Sequence, residues 1–251
     1  HMIQLVDKKI VIFSHSRSGS SSLFYLLNTH PGVNLLGEPF NPYREKWAPD
    51  KKNYINDVKS ATDLDLALAD IYKEHNGFKT LTAQMPVSLN EHLLSSLGEN
   101  DKIILLHRKN LLQTAVSISI SEQTGEWENA KLIKERVQNG CLKPIDIEEL
   151  KGFMRVASKV GTYYRDFLLG NQQSFYEVTY EDLYLSTKER RVELVDEIFN
   201  FLELPLPYFN LDLFFSKRKI TNSFETYKHI PNLDEIIVEF KDEEQKVGKL
   251  F

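Results

Sequence analysis

Residues 10–23, Ile-Val-Ile-Phe-Ser-His-Ser-Arg-Ser-Gly-Ser-Ser-Ser-Leu, constrain this chain more than any other stretch. A short apolar, β-branched run closes at Phe13. A basic, serine-rich loop with a single glycine follows, and Leu23, Leu26 and Leu27 then recur at helical spacing. The pattern predicts a strand, a tight loop and a helix N-terminus. A helix start offers unpaired backbone N–H groups and the positive end of the macrodipole, so it suits a phosphate or sulfate group. Gly19 lets the backbone approach an anion closely. Ser16, Ser18, Ser20, Ser21 and Ser22 supply hydroxyl donors, and Arg17 supplies a planar cation.

Two familiar phosphate loops do not fit. The loop of ATP- and GTP-using enzymes needs Gly, four residues, then Gly-Lys-Ser/Thr. With Gly19 as the second glycine, Ser14 takes the place of the first and Ser20 that of the lysine. A dinucleotide fingerprint needs several glycines, and only one is present. A basic residue followed by Ser-Gly-Ser-Ser, directly after a first strand, resembles instead the 5′-phosphosulfate loop of sulfotransferases. Those enzymes take a sulfuryl group from 3′-phosphoadenosine 5′-phosphosulfate (PAPS). The resemblance implies that residues 16–22 hold the donor, that its product is adenosine 3′,5′-bisphosphate, and that no metal is needed.

Beyond the loop, apolar runs alternate with helical patterns, which argues for parallel strands joined by crossover helices. Strands are predicted at Lys9–Ser14, Gly77–Thr82, Lys102–His107 and Phe175–Tyr180, with a shorter one at Val33–Leu36. Helices are predicted to start near Ser20, Thr62, Ser88, Asn110, Asp146, Ser186 and Asn232. Capping boxes pair Thr62 with Asp65, Ser88 with Glu91 and Ser186 with Glu189. Gly170 is the expected stop of the helix from Asp146. The expected fold is α/β: a single doubly wound domain over residues 1–251, with a central parallel sheet and a P-loop-like strand–loop–helix. Residues 41–56 and 122–144 read as polar insertions, each with one tryptophan, Trp47 and Trp127. Long loops over a rigid sheet commonly bind substrates, so an acceptor is one expected occupant. A surface loop pinned by its aromatic residue is the other.

A second anion site is predicted where the Ile/Leu strand at 102–107 runs into His107-Arg108-Lys109-Asn110. Asn110 is a good N-cap, and the carboxyl end of a strand beside a helix start is where open α/β sheets bind ligands. This segment resembles the sulfotransferase element that holds the 3′-phosphate, an arginine with a serine eight or nine residues later. Arg108 precedes Ser117 by nine residues and Lys109 by eight. Arg108 is favoured because a guanidinium matches phosphate oxygens in a fork, with Lys109 as the rival. Val178-Thr179-Tyr180-Glu181-Asp182-Leu183 is similar to a late strand end in the same family, which implies that Tyr180 contacts the adenine. The basic run Ser216–Thr221 resembles the family's C-terminal nucleotide loop and marks Lys219 as a phosphate contact.

The acceptor hydroxyl needs a general base. The segment Lys79-Thr80-Leu81-Thr82-Ala83-Gln84-Met85-Pro86 is comparable to one that carries a histidine in cytosolic sulfotransferases, and here it has none. Glu38, in Gly37-Glu38-Pro39-Phe40, resembles the glutamate proposed as base in carbohydrate-type members. Bacterial and carbohydrate-type enzymes are therefore the nearer branch. Arg17, Glu38 and Lys79 are the expected catalytic residues, Lys79 touching the transferring sulfuryl group. His15 and His107 are the reserve bases.

The net charge of −5 argues against a general nucleic-acid binder, without excluding an anionic cofactor. With Cys141 the only cysteine, no internal disulfide forms. No apolar run reaches transmembrane length and no secretory leader opens the sequence, so a cytoplasmic enzyme is expected. Its partner is a small-molecule or glycan acceptor whose identity the residues leave open, as they do the oligomeric state. A nucleotide or sugar kinase with an atypical loop, and a non-catalytic nucleotide-binding module, are the competing readings.

Overall fold

The computed structural model describes residues 5–46, 48–127, 129–208, 210–217 and 224–251. In chain order the first elements are β1 (Ile10–Ser14), α1 (Ser20–Leu27), β2 (Leu35–Gly37), α2 (Ala61–Ile71), β3 (Gly77–Leu81) and α3 (Val87–Ser95). Then follow β4 (Lys102–His107), α4 (Leu111–Thr124), α5 (Ala130–Gln138), α6 (Ile147–Gly170), β5 (Phe175–Thr179) and α7 (Lys188–Phe201). The short helices α8 (Leu211–Lys217), α9 (Phe224–Tyr227), α10 (Leu233–Glu239) and α11 (Glu244–Val247) complete the described chain. Among the described residues, no helix is long and apolar enough to cross a membrane.

The chain forms two compact units, one running to His107 and resuming over Gly161–Phe214, the other comprising Arg108–Val160 and Phe215–Phe251. The first holds a five-stranded, all-parallel sheet in the order β2–β3–β1–β4–β5. Every residue of β1 is buried. A parallel strand covered on both faces reads as an unbroken apolar run, which is how Ile10–Phe13 reads in the sequence. Gly77 opens β3 where a Cβ would strike the Ile10 carbonyl oxygen at 1.8 Å, so only glycine lets these two strands approach. From β1 the chain passes to β2 and back to β3 on one side, then crosses to β4 and β5 on the other. The direction of winding reverses at the carboxyl end of β1, the position where open α/β sheets take ligands.

The strands and the expected helix starts lie within a residue or two of expectation, but several capping residues differ. Helix α2 is capped by Ser60, whose Oγ accepts from the Asp63 N–H at 3.2 Å, not by Thr62. Pro86, with φ at −55°, stands at the N-cap of α3 with no side-chain cap and leaves Ser88 inside the first turn without a capping role. Thr187 caps α7 one residue after Ser186. In each case the observed cap lies within two residues of the expected one, the usual uncertainty of a helix end. Asn110 caps α4 as predicted, its Oδ1 accepting from the Gln113 N–H at 2.9 Å.

The second unit has its own core. Leu112, Val116 and Ile120 of α4 pack with Ile133 and Val137 of α5, Ile236, Phe240, Tyr227 and Phe251. Residues 122–144 contribute to it. They contain α5, whose i, i+4 pair Ile133 and Val137 is buried in that core, while Trp127 is exposed. The described residues of 41–56 are irregular apart from 3₁₀ turns at Arg44–Lys46 and Tyr54–Asn56, and Trp47 lies outside them.

Candidate functional site

The loop after β1 is built by backbone bonds to both neighbouring strands. The Thr82 N–H donates to the Ser14 carbonyl at 2.9 Å, and the His15 N–H to that of Leu106 at 3.4 Å. Ser18, fully buried, turns its hydroxyl back onto the His15 carbonyl at 2.6 Å, closing the loop. Arg17 (φ 60°) and Gly19 (φ 83°) both adopt left-handed backbone. Glycine does so at little cost; a non-glycine residue there is uncommon and clusters at functional sites. Gly19 is the N-cap of α1, with no side-chain cap and no acidic residue in the first turn, so no carboxylate of that turn neutralises the positive helix end.

Two tyrosines pack on this glycine. The Tyr184 hydroxyl donates to the Gly19 carbonyl at 2.6 Å, and the Tyr180 and Tyr184 ring centroids are 4.9 Å apart. A Cβ at position 19 would meet Tyr184 at 2.3 Å and Tyr180 at 3.0 Å. Tyr180, assigned to adenine contact from the sequence, is thus buried against the loop. Tyr184 was missed. Its signal is the four-residue spacing from Tyr180, one helical turn, in Tyr-Glu-Asp-Leu-Tyr.

Glu38 and Lys79, far apart in sequence, form a buried ion pair, Nζ to Oε1 2.6 Å. Lys79 is central in β3, opposite Ile12 of β1 and Gly37 of β2. Its ammonium also donates to the Ser21 hydroxyl in the first turn of α1, at 3.0 Å. Glu38 follows β2 directly, continues the ladder through its N–H to the Lys79 carbonyl at 2.9 Å, and has φ at 43°. Its other oxygen, Oε2, accepts from Asn41 Nδ2 at 2.6 Å and Gln84 Nε2 at 2.7 Å. Burial pushes the Glu38 carboxyl upward; the Lys79 ammonium and the bonds from Lys79, Asn41 and Gln84 outweigh it and hold the group below its ordinary range. Arg44 is buried nearby and donates to the Gly37 carbonyl. Asn41, Arg44 and Gln84 were not singled out as site residues, although Gln84 stands in the very segment noted for lacking a histidine.

The reserve bases are placed differently. His15 is pushed down to about 4, by burial first and His107 second. Its Nδ1 lies 3.4 Å from the Thr82 hydroxyl. Its buried Nε2 has no hydrogen-bond partner and points at the backbone of Gly161, where an added Cβ would stand 3.6 Å away. His107 Nδ1 is 3.6 Å from Glu177, which also pairs with Arg165 at 3.1 Å.

In the second unit Arg108 is buried and donates to Gln113 Oε1, whereas Lys109 is exposed. Ser117 is buried two turns into α4. Gln113 also donates to the Leu250 carbonyl at 2.8 Å, as Asn110 Nδ2 does at 3.1 Å, so the turn carrying Arg108 is braced by the chain near residue 250. Lys219 lies outside the described residues. The α1 N-terminus, the Ser21 hydroxyl and the Lys79 ammonium lie together and are groups of a kind that suits an anion.

No family model matches the chain. Over 184 residues, 70% of this chain and 69% of the other protein, it is 26% identical to Nodulation protein H of Rhizobium tropici. Among solved structures it is similar to the sulfotransferase domain from the curacin biosynthetic pathway, with TM-score 0.50 and 15% identity over 95% of this chain and 99% of that one. Mouse sulfotransferase SULT7A1 complexed with PAP is also similar, with TM-score 0.46 and 12% identity over 98% of this chain and 87% of that one. The chain has the fold of a sulfotransferase domain, as its loop and strand-end motifs led us to expect.

Proposed function

We propose that the protein is a sulfotransferase that moves a sulfuryl group from PAPS to an acceptor hydroxyl, on a carbohydrate or small alcohol, by in-line displacement. One observation carries this reading: a buried carboxylate, Glu38, is linked through Lys79 to Ser21 in the first turn of the anion-suited loop. A proton acceptor and an anion site are thereby joined over two hydrogen-bond lengths.

The bound donor supplies the sulfuryl group on a 5′-phosphate that departs as adenosine 3′,5′-bisphosphate. The acceptor oxygen bonds to sulfur as the sulfur–oxygen bond to that phosphate breaks, and the electron pair leaves on the phosphate oxygen. Arg17 and the N–H groups opening α1 stabilise that growing charge. Lys79 holds a sulfuryl oxygen and keeps Glu38 ionised. Glu38 takes the acceptor proton. A carboxylate of lowered basicity suffices, because the hydroxyl becomes strongly acidic once its oxygen bonds to sulfur. Arg108, buried and oriented by Gln113, is the better candidate than exposed Lys109 for the 3′-phosphate, with Ser117, and Tyr180 serves the adenine.

Thermal unfolding tests the donor class. Adenosine 3′,5′-bisphosphate raises the melting temperature through ligand linkage, and ATP with magnesium does so much less. Stronger stabilisation by ATP, only with magnesium, overturns the reading in favour of a kinase. The two anion contacts separate by titration calorimetry. Arg108→Ala weakens adenosine 3′,5′-bisphosphate by about 10–150-fold, the equivalent of a charge-assisted hydrogen bond, and leaves adenosine 5′-phosphate nearly unchanged. Equal losses for both nucleotides reject Arg108 and transfer the role to Lys109.

A further inference from the structure

The hydrogen bonds around Glu38 specify which of its oxygens can accept a proton. An ionised carboxylate has about four lone-pair sites, two on each oxygen. Oε2 accepts from Asn41 Nδ2 and from Gln84 Nε2, so both of its sites are taken. Oε1 accepts from Lys79, which leaves one site.

The orientation of each amide is imposed by backbone. Gln84 Oε1 lies 3.1 Å from the Leu81 N–H, a group that can only donate, and 3.1 Å from the Thr80 hydroxyl. The opposite end of the Gln84 amide is therefore its NH₂, and it faces Glu38 as a donor. Asn41 repeats the device. Its Oδ1 accepts from the Tyr43 N–H at 2.9 Å, which turns its NH₂ onto Glu38. Neither amide can flip without opposing a backbone donor to an amide donor. Gln84 and Thr80 are both buried, so water does not substitute readily.

We propose that Gln84, assisted by Asn41, is a positioning residue that fills Oε2 of Glu38 and leaves Oε1 as the one oxygen through which this carboxylate accepts a proton. Protonation at Oε2 sets an O–H against two N–H donors. At Oε1 the incoming proton shares the oxygen with Lys79, whose ammonium already reaches Ser21 of the loop. The acceptor hydroxyl must then approach from the Lys79 side, which aligns it with the loop. Lys79 from β3 and Arg44 from the turn after β2 are the charged groups that face Glu38, and both favour its ionised form. The consequence for turnover rests on Glu38 being the base; the hydrogen-bond arrangement does not.

Two variants test this. Gln84→Met removes the amide at similar length. Gln84→Glu keeps an acceptor for the Leu81 N–H but sets a second carboxylate against Oε2. The Glu38 carboxyl is followed by ¹³C NMR titration and identified by the signal lost in Glu38→Gln. Gln84→Met raises the midpoint by about one to two pH units, the equivalent of one charge-assisted hydrogen bond. Gln84→Glu raises it further, because two touching carboxylates cannot both ionise. If Gln84→Met does not fold, Gln84→Glu alone carries the test. An unchanged midpoint in every folded variant overturns the proposal. The acid limb of kcat/KM, measured with PAPS and an alcohol acceptor, reads the second layer. A limb that moves with the NMR midpoint supports both Gln84 as positioner and Glu38 as base. A midpoint that moves under a stationary limb upholds the Gln84 assignment and rejects Glu38 as the base.

Discussion

Glu38→Gln lowers turnover by about 10²–10⁴-fold, the usual range for general acid–base work, while nucleotide affinity stays within a few-fold of the parent. Affinity is spared because Glu38 reaches the loop only through Lys79. The substitution is not innocent for the fold, however. Three donors converge on Glu38, from Lys79, Asn41 and Gln84. A glutamine that turns its carbonyl to Lys79 must oppose its own NH₂ to the two amides, so some stability is lost along with the base. The exchange Glu38→Gln/Gln84→Glu separates the two effects. It keeps an acceptor for the Leu81 N–H and returns a donor–acceptor pair to positions 38 and 84, and so recovers part of the stability. The carboxylate is now on the wrong side of the network, and turnover stays low. Single-turnover rates across pH with an alkyl alcohol and with an acidic phenol complete the test. The phenol partly rescues Glu38→Gln because it needs less help to deprotonate. Near-normal rates of Glu38→Gln with the alkyl alcohol reduce Glu38 to a structural residue. His15 is then a poor heir, since its unpaired nitrogen faces Gly161.

Lys79→Met destabilises the protein by about 3–5 kcal/mol at neutral pH, the cost of stranding one charge of a buried pair. Glu38 is held below the ordinary carboxylate range in the folded parent. The pair therefore contributes its stability above that range and loses it as pH falls through the lowered value. Without Lys79, burial dominates and the folded Glu38 binds a proton more readily than the unfolded chain does. The deficit of Lys79→Met is then full at neutral pH and shrinks on acidification through the carboxylate range. Denaturant unfolding at several pH values reads this directly. Adding Glu38→Gln to Lys79→Met removes the stranded charge and restores much of the loss. A deficit independent of pH, unrelieved by the second substitution, would mean that lost packing and not lost charge compensation explains it.

The motifs legible in the sequence are those whose physics is local. An unbroken apolar run such as Ile10–Phe13 announces a strand buried on both faces, and Asn110 announces a cap because an Asn side chain reaches an N–H three residues on. The serine-rich loop, its glycine and Arg17 could be read as an anion site for the same reason. Where the local rule admits two neighbours, as at Thr62 against Ser60 or Ser186 against Thr187, the sequence alone chose wrongly. Within residues 122–144 the helix α5 was not legible, because it buries only two side chains, too few to dominate its composition.

Other facts needed the tertiary structure. Glu38 and Lys79 are dozens of residues apart, and they meet with Ser21 because β3 lies between β2 and β1, a pairing order that periodicity does not encode. Gly19 could be named as permissive from its type. That two tyrosines from beyond β5 crowd it depends on the approach of a distant segment. The protonation of Glu38 lies furthest from the sequence, since it depends on two amides whose orientation is set by the Leu81 and Tyr43 backbone. Sequence thus determined which chemical groups were available and which local elements carried them. Strand order and burial decided which groups share a hydrogen-bond network, because that depends on contacts between residues the chain itself keeps apart.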